Sequence, residues 1–213
     1  MKKIIMFFIF FGLVVFFLFQ FSIPVSADSF LYDGTTWTTL NYPGGGQTDV
    51  QGIDGNNIVG HCVDGGFLYD GTTWTLLNYP GGTFTAAYGI DGNNIVGICA
   101  DSDGRYGFVY DGITWTTLNY PGSEYTVFHG IDGNNIVGEH SNYSPVSRGF
   151  VYDGITWTPL DNPWGDVTIP LGISGNNIVG VFDKSNVPTP GTLLLVGSGL
   201  IGLAGLRRKF RTR

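Results

Sequence analysis

The stretch Gly89-Ile90-Asp91-Gly92-Asn93-Asn94-Ile95-Val96-Gly97 decides the fold. It places two β-branched segments on either side of Asp-Gly-Asn-Asn, whose residues readily adopt the positive φ of a tight hairpin turn. The same pattern, with Asp or Ser in third place, begins at Gly52, Gly89, Gly130 and Gly172. The spacings of 37, 41 and 42 residues indicate four copies of one unit.

Each copy carries further constant features around this hairpin. A Phe-(Leu/Val)-Tyr-Asp-Gly segment begins at Phe30, Phe67, Phe108 and Phe150, and a Trp-Thr pair and Leu-x-x-Pro follow it. Apolar runs separated by Asp, Gly and Asn predict four short antiparallel strands per unit, in mid-chain at 88–90, 95–98, 108–110 and 114–120. The copies cover about 30–66, 67–107, 108–149 and 150–183, so the sequence predicts an all-β domain over residues 28–186.

Two architectures fit such units. Four antiparallel strands in about 40 residues is the scale of a propeller blade. The domain begins with the third and fourth strands of a unit (30–40) and ends with the first and second (169–182). We therefore predict a closed four-bladed β-propeller in which these two ends form a split fourth blade. The alternative is an open stack of hairpins, a solenoid, although neither end shows the polar capping unit that a solenoid needs.

The two cysteines distinguish these architectures. Cys62 and Cys99 hold equivalent positions in adjacent copies. A four-bladed ring would keep them beyond the Cα separation that a disulfide tolerates, about 4.4 to 6.8 Å, whereas a tight stack would bring them within about 4.8 Å. The predicted propeller therefore implies two free, largely buried thiols.

The N-terminus predicts export. Lys2-Lys3, an apolar run over 4–19 and Pro24-Val25-Ser26-Ala27 form the pattern of a secretory signal peptide, a helix in its apolar part, over residues 1–27. We expect Sec export and cleavage after Ala27 by signal peptidase. A retained N-terminal anchor is the alternative.

The C-terminal segment, residues 187–213, predicts a temporary membrane anchor. Its apolar part, 192–206, would span about 22 Å as a helix, less than the roughly 30 Å hydrocarbon core of a bilayer. The basic residues that follow, Arg207, Arg208 and Lys209, would hold the tail on the cytoplasmic side. A buried core helix is the alternative, but the segment is not amphipathic.

This tail resembles the PEP-CTERM sorting signal. The likeness lies in Val187-Pro188-Thr189-Pro190, the Gly- and Leu-rich run after it and the closing Arg207-Arg208, with Thr189 where that family usually has Glu. The resemblance implies recognition by exosortase, a membrane cysteine protease and transpeptidase of Gram-negative bacteria that make exopolysaccharide. It also implies an inner-membrane intermediate and a final place at the cell surface or in the extracellular, biofilm-type matrix.

The repeat itself resembles the HAF family of bacterial extracellular repeats. The likeness rests on Gly-Phe-Val-Tyr-Asp-Gly, Trp-Thr-Thr-Leu-Asn-Tyr-Pro-Gly and Tyr-Gly-Ile-Asp-Gly-Asn-Asn-Ile-Val-Gly, and it spans residues 30–182. The His-Ala pair that names the family is absent. The resemblance implies an extracellular repeat architecture and no particular chemistry.

Charge excludes two classes of partner. Between residues 28 and 186 there are three basic residues against all 17 carboxylates, a net charge of −14. Nucleic acid and anionic lipid require cationic surface, so neither is an expected partner.

Candidate site residues are few, and no cofactor is predicted. Asp101 and Asp103 resemble the opening of a calcium loop that lacks its later ligands. The four repeated tryptophans could line a carbohydrate-stacking surface or pack between units: Trp37, Trp74, Trp115 and Trp157. Equivalent positions in the four copies hold residues that could bind zinc or copper, or could pack between units: Cys62, Cys99, His140 and Phe182.

The predicted function depends on the lack of an evident catalytic acid pair in the sequence. The recurring aspartates occupy turns, so a catalytic acid pair would have to come from Glu124 and Glu139, the two glutamates of the chain. We therefore predict a non-enzymatic surface or matrix protein that contacts exopolysaccharide. The alternatives are a polysaccharide-active enzyme on a propeller scaffold and a metal- or calcium-binding module.

Overall fold

The computed structural model describes residues 28–142, 146–163, 165 and 167–183. Within them the chain is all-β and antiparallel, as predicted. The predicted signal peptide (1–27), with its cleavage site, and the predicted sorting tail (187–213) lie outside the described residues. None of the described residues belongs to a helix that is long and apolar enough to cross a membrane.

Sixteen strands form five small sheets. The first is a pair, β1 (Ser29–Tyr32) and β2 (Trp37–Leu40). Three four-stranded sheets follow. The first of these contains β3 (Thr48–Asp54), β4 (Asn57–Cys62), β5 (Gly65–Tyr69) and β6 (Trp74–Leu77), and the second contains β7 (Phe84–Asp91), β8 (Asn94–Ala100), β9 (Arg105–Tyr110) and β10 (Trp115–Leu118). The third contains β11 (Tyr125–Asp132), β12 (Asn135–Ser141), β13 (Arg148–Tyr152) and β14 (Trp157–Leu160), and we number the four-stranded sheets in this order. The last is again a pair, β15 (Thr168–Ser174) and β16 (Asn177–Phe182).

The repeated turn residues explain the hairpins. Between β7 and β8, Asp91 pairs with Asn94, which leaves a two-residue loop in which Gly92 has a φ of +58°. Between β9 and β10, Asp111 Oδ1 accepts hydrogen bonds from the backbone N–H groups of Ile113 and Thr114 at 2.8 and 2.7 Å. The same aspartate turn recurs at Asp33, Asp70 and Asp153.

Neighbouring sheets stack through a column of glycines in their first strands: Gly52, Gly89, Gly130 and Gly172. A Cβ on Gly89 would lie 2.9 Å from the carbonyl oxygen of His129 and 3.2 Å from the Cα of Gly130. Only glycine permits this approach of two backbones. The first strand of each sheet also packs against the second strand of the sheet before it, as β7 packs against β4.

The core lies between these sheets. The phenylalanine of the third strand is fully buried in every complete sheet, as is one valine of the second strand: Phe67, Phe108, Phe150, Val59, Val96 and Val137. Burial of such a side chain stabilises the fold by about 1.5–3 kcal/mol. The repeated apolar residues therefore hold the stack together.

The predicted ring closure is wrong, and the open stack is the architecture that the structure shows. Three complete sheets form as expected, but within the described residues β1 forms a ladder only with β2, and β15 only with β16. The split blade is therefore absent.

Two contacts that join neighbouring units explain the open ends. Asp54 Oδ2 accepts a hydrogen bond from the N–H of Gly92 in the next unit at 2.7 Å. Asp91 and Asp132 each accept the equivalent hydrogen bond from a backbone N–H of the unit that follows their own. In the last copy Ser174 replaces this aspartate. Likewise Tyr42, Tyr79 and Tyr120 each meet a tryptophan of the next unit, and Asn162 stands at their position in the last copy. The fourth copy thus lacks both the aspartate and the tyrosine that would contact the first copy in a closed ring.

Both cysteines are free thiols, as predicted, with Cys99 buried and Cys62 half-buried. The reason differs from the predicted one, because the units are stacked and not closed. Cys62 lies in β4, which packs against β7, whereas Cys99 lies in β8. Equivalent second strands are therefore not the neighbours that a disulfide would need.

Candidate functional site

Three of the four repeated tryptophans pack inside the stack. Trp115 stacks on Tyr110, its partner across the hairpin, with ring centroids 4.6 Å apart. It also meets Tyr79 of the preceding copy edge-on at 5.8 Å. Trp74 and Trp157 make the corresponding contacts. Packing between units accounts for these three side chains.

Trp37 differs because no complete unit precedes it. Its ring stacks on Tyr32 at 4.6 Å and lies 4.8 Å from Phe30, yet the side chain is 66% exposed. A sugar ring could reach this face. Carbohydrate stacking on the four tryptophans stays a prediction, and Trp37 is the position with the most surface for it.

The predicted calcium residues form a turn between β8 and β9. Asp101 Oδ1 accepts hydrogen bonds from the N–H groups of Asp103 at 2.8 Å and Gly104 at 3.1 Å. Among the residues that the structure describes, no group of three or more His, Cys, Asp or Glu side chains is placed to hold a metal ion. The turn gives Asp101 a structural role, and calcium binding there stays a prediction.

The equivalent positions of Cys62, Cys99 and His140 serve packing. The His140 ring stacks on Tyr120 with centroids 3.7 Å apart, and its Nδ1 lies 2.7 Å from Ser123 Oγ. Burial lowers the pKa of His140 below its ordinary value. The neutral imidazole is therefore favoured as an aromatic packing group.

A polar cluster lies where the second and third sheets meet. Glu139 is 8% exposed, and the Tyr125 hydroxyl donates to its Oε1 at 3.3 Å. His129 Nε2 lies 3.5 Å from the same oxygen. Tyr88, from the second sheet, has its ring centroid 5.4 Å from that of His129. We refer to Tyr88, Tyr125, His129 and Glu139 as the Glu139 cluster.

This cluster holds a fixed negative charge. Burial acts to raise the pKa of Glu139, but His129, Ser147 and Tyr125 outweigh it and hold that pKa below its ordinary value. Burial and the charge of Glu139 raise the pKa of Tyr125 to about 12 and also raise the pKa of Tyr88. At neutral pH the cluster therefore contains one carboxylate and two phenols that remain hydrogen-bond donors.

A groove of about 1160 Å³ opens beside the Glu139 cluster, between the second and third sheets. Tyr125 and Ser147 line it and so connect it to the cluster. Its wall also carries Phe84, which is 48% exposed. The charged lining residues are Asp101, Asp103, Arg105 and Glu124. The structure thus brings the predicted calcium residues and Glu124 together on one surface, while Glu139 lies behind it.

The sequence identified Glu139 but missed its partners. Tyr88 and His129 occupy one repeat position, at which the other copies have Gln51 and Leu171. Divergence at one position of an otherwise regular repeat was the available signal. It could not show that this position faces Glu139, because that depends on how one sheet stacks on the next.

Comparisons with known proteins bear on the C-terminal tail. The model of the PEP-CTERM protein-sorting motif matches residues 186–209. No curated protein and no solved structure matches the chain. The HAF likeness stays a prediction, whereas the predicted exosortase signal is confirmed. The chain therefore ends in a segment similar to the motif by which exported proteins are passed to an exosortase.

Proposed function

We propose that this protein is a non-enzymatic, surface- or matrix-associated protein that binds a neutral exopolysaccharide in the groove between its second and third sheets. The groove beside the Glu139 cluster is the observation that carries the proposal. The sorting motif at 186–209 supports the location, since it implies membrane anchoring and then processing by an exosortase.

The lining of the groove suits a sugar chain. Carboxylates, hydroxyls and one guanidinium supply both acceptors and donors for sugar hydroxyls, and Phe84 offers an apolar face. A typical pocket for a small molecule has about 300–1,000 Å³. The groove is larger than that, which favours a segment of a polymer over a single monosaccharide.

Charge favours a neutral ligand. Three of the four charged lining residues are acidic, and the domain from 28 to 186 has a net charge of −14. An anionic polysaccharide would be repelled at close range, although salt would screen part of that repulsion.

The placement of Glu139 supports binding without catalysis. A glycosidase needs two carboxyl groups on either side of the scissile bond, about 5 to 9.5 Å apart, one of them kept protonated by a raised pKa. Glu139 is the one buried carboxylate among the described residues, it does not line the groove, and its pKa is lowered. Glu124 is exposed on the groove wall.

The test measures binding of the purified protein to neutral and acidic polysaccharides by isothermal titration, after a glycan array has selected ligands. Phe84→Ala should weaken binding about tenfold, equivalent to about 1.4 kcal/mol. Ile113→Ala is the matched control, because Ile113 is 89% exposed and is not among the groove residues. Trp37→Ala separates the groove from tryptophan stacking.

Loss of binding in Trp37→Ala but not in Phe84→Ala would move the site to the pair of β1 and β2 and contradict the groove assignment. Release of reducing sugar from a bound polysaccharide, abolished by Glu124→Gln, would favour the enzyme alternative.

A further inference from the structure

The two ends of the stack are the two halves of one sheet. β15 and β16 are the first and second strands of a unit, and β1 and β2 are the third and fourth. In every complete sheet these halves are joined by pairing of the second strand with the third, as β8 pairs with β9. On β16 and β1 the corresponding edges pair with no other strand in the described part of the chain.

The terminal strands keep the residues that form this joint elsewhere. In the complete sheets Ile-Val-Gly of the second strand lies opposite Tyr, Leu or Val, and Phe of the third strand: Ile95 opposite Tyr110, Val96 opposite Val109 and Gly97 opposite Phe108. β16 contains Ile178-Val179-Gly180 and β1 contains Phe30-Leu31-Tyr32. The repeat register would therefore place Val179 opposite Leu31 and Gly180 opposite Phe30.

Side chains that are core elsewhere are exposed at both ends. Phe30 is 57% exposed, whereas its equivalents Phe67, Phe108 and Phe150 are 0% exposed. Val179 is 67% exposed, whereas Val59, Val96 and Val137 are 0% exposed. Joining the two ends would bury both residues as in the complete sheets, so each end offers the other the apolar surface that it lacks.

The ends also lack the charged residues and prolines that commonly protect an edge strand. Proteins blunt such edges with charged residues, proline or bulges, and solenoids cover their ends with polar caps. β1 reads Ser-Phe-Leu-Tyr and β16 reads Asn-Ile-Val-Gly-Val-Phe, without a charged residue or proline in either. The edges are suited to pairing.

We infer that β16 of one copy of this protein pairs with β1 of the next and completes a four-stranded sheet between them. Pairing within one chain would close the stack into a ring, but the two half-sheets of one chain are separate. The two surfaces differ, so the contact is head-to-tail. Such a contact repeats as an open filament when it does not close on itself.

Cysteine cross-linking tests the pairing and its register. In the complete sheets Ile98 pairs with Gly107, and the equivalent residues at the ends are Val181 and Ser29. Directly opposed residues of antiparallel strands have Cα atoms about 4.5–5.5 Å apart, within reach of a disulfide. The chain carrying Ser29→Cys and Val181→Cys, purified as its host exports it, should give a reducible ladder of dimers, trimers and longer species under mild oxidation.

The matched control is Phe30→Cys with Val181→Cys, one residue out of register, which places the two thiols on opposite faces. Each single variant controls for Cys62 and Cys99 and should give dimers at most. A cross-link that forms within one chain and leaves the protein monomeric would overturn the inference in favour of ring closure. Absence of any cross-link specific to the in-register pair would overturn it as well.

Two charge variants test the polarity of the contact. Val179→Lys and Phe30→Lys each place an ammonium in one half of the joint, at a residue that is exposed in the single chain, so the fold should persist. By analytical ultracentrifugation the wild type should form oligomers whose length rises with concentration. Each variant alone should associate at least tenfold more weakly, and Ile113→Lys, at a residue 89% exposed, should behave as wild type.

A mixture of the two charge variants distinguishes this joint from non-specific association. Val179→Lys retains an intact β1 edge, and Phe30→Lys retains an intact β16 edge. Mixed at equal concentration, they should form discrete dimers and nothing longer. Oligomers of unlimited length in the mixture, or association of Val179→Lys equal to that of wild type, would contradict the inference. A wild-type chain that stays monomeric at all concentrations would contradict it too.

Discussion

Replacing Gly89 by Ala tests how the sheets are stacked. The new Cβ would lie 2.9 Å from the carbonyl oxygen of His129 and 3.2 Å from the Cα of Gly130, both backbone atoms of the third sheet. Neither atom can rotate away, so the second and third sheets must move apart. Overpacking of this kind costs about 1–3 kcal/mol of the free energy of unfolding.

The matched control is Gly172→Ala, at the same repeat position in the last copy. Its Cβ would meet only Val179 Cγ2, at 3.3 Å, because no described sheet follows. Replacing Gly by Ala also restricts the unfolded chain, which stabilises by about 0.4–1 kcal/mol in both variants. The difference between the two variants therefore isolates the clash.

The assay is urea unfolding followed by tryptophan fluorescence, at a protein concentration low enough to keep the chain monomeric. Gly89→Ala should be less stable than Gly172→Ala by about 1–3 kcal/mol. In a domain of this size that corresponds to a difference in Tm of about 2–12 °C. Equal stability of the two variants would refute the backbone contact between stacked sheets.

Trp115→Ala should destabilise the protein by about 3 kcal/mol because its ring packs between two units. Trp37→Ala should reduce the stability much less, because Trp37 is 66% exposed. Thermal unfolding of the two variants gives the comparison. The pKa of Glu139 is lowered in the folded state. Its contribution to the free energy of unfolding is therefore present above its unfolded pKa and is lost as pH falls through its folded pKa. Stability-versus-pH curves of wild type and Glu139→Gln should converge at acid pH. Burial raises the pKa of Cys99 to about 12, so its thiol should not react with a disulfide reagent at pH 8 until the protein is unfolded, when thiol counting should find both cysteines.

The strands and turns could be predicted because each depends on residues close together in the sequence. Asp91 and Asn94 flank a two-residue loop, and Gly92 supplies the positive φ that such a loop requires. Because the sequence repeats, the same hairpin is predicted in all four copies. Local chemistry therefore determined the sheets, including the half-sheets at both ends.

Closure was predicted wrongly because it depends on residues far apart in the sequence. In a closed ring the last copy would contact the first through an aspartate and a tyrosine. The last copy has Ser174 and Asn162 at those positions. Both replacements are visible in the sequence, but their meaning follows from contacts such as Asp91 with the N–H of Gly133. The Glu139 cluster escaped prediction for the same reason, since Tyr88 reaches it from another sheet.

The two replacements also set the strength of the proposed joint between copies. A contact between units inside one chain combines the glycine approach, the aspartate hydrogen bond, the tyrosine–tryptophan contact and the covalent connection. The joint between copies would keep the pairing of β16 with β1 and the burial of Phe30 and Val179. It would lose the aspartate and tyrosine contacts through Ser174 and Asn162, and it has no covalent connection. Each intermolecular joint should therefore be weaker than any interface within the chain, so a filament of this protein would shorten on dilution while its individual stacks stayed folded.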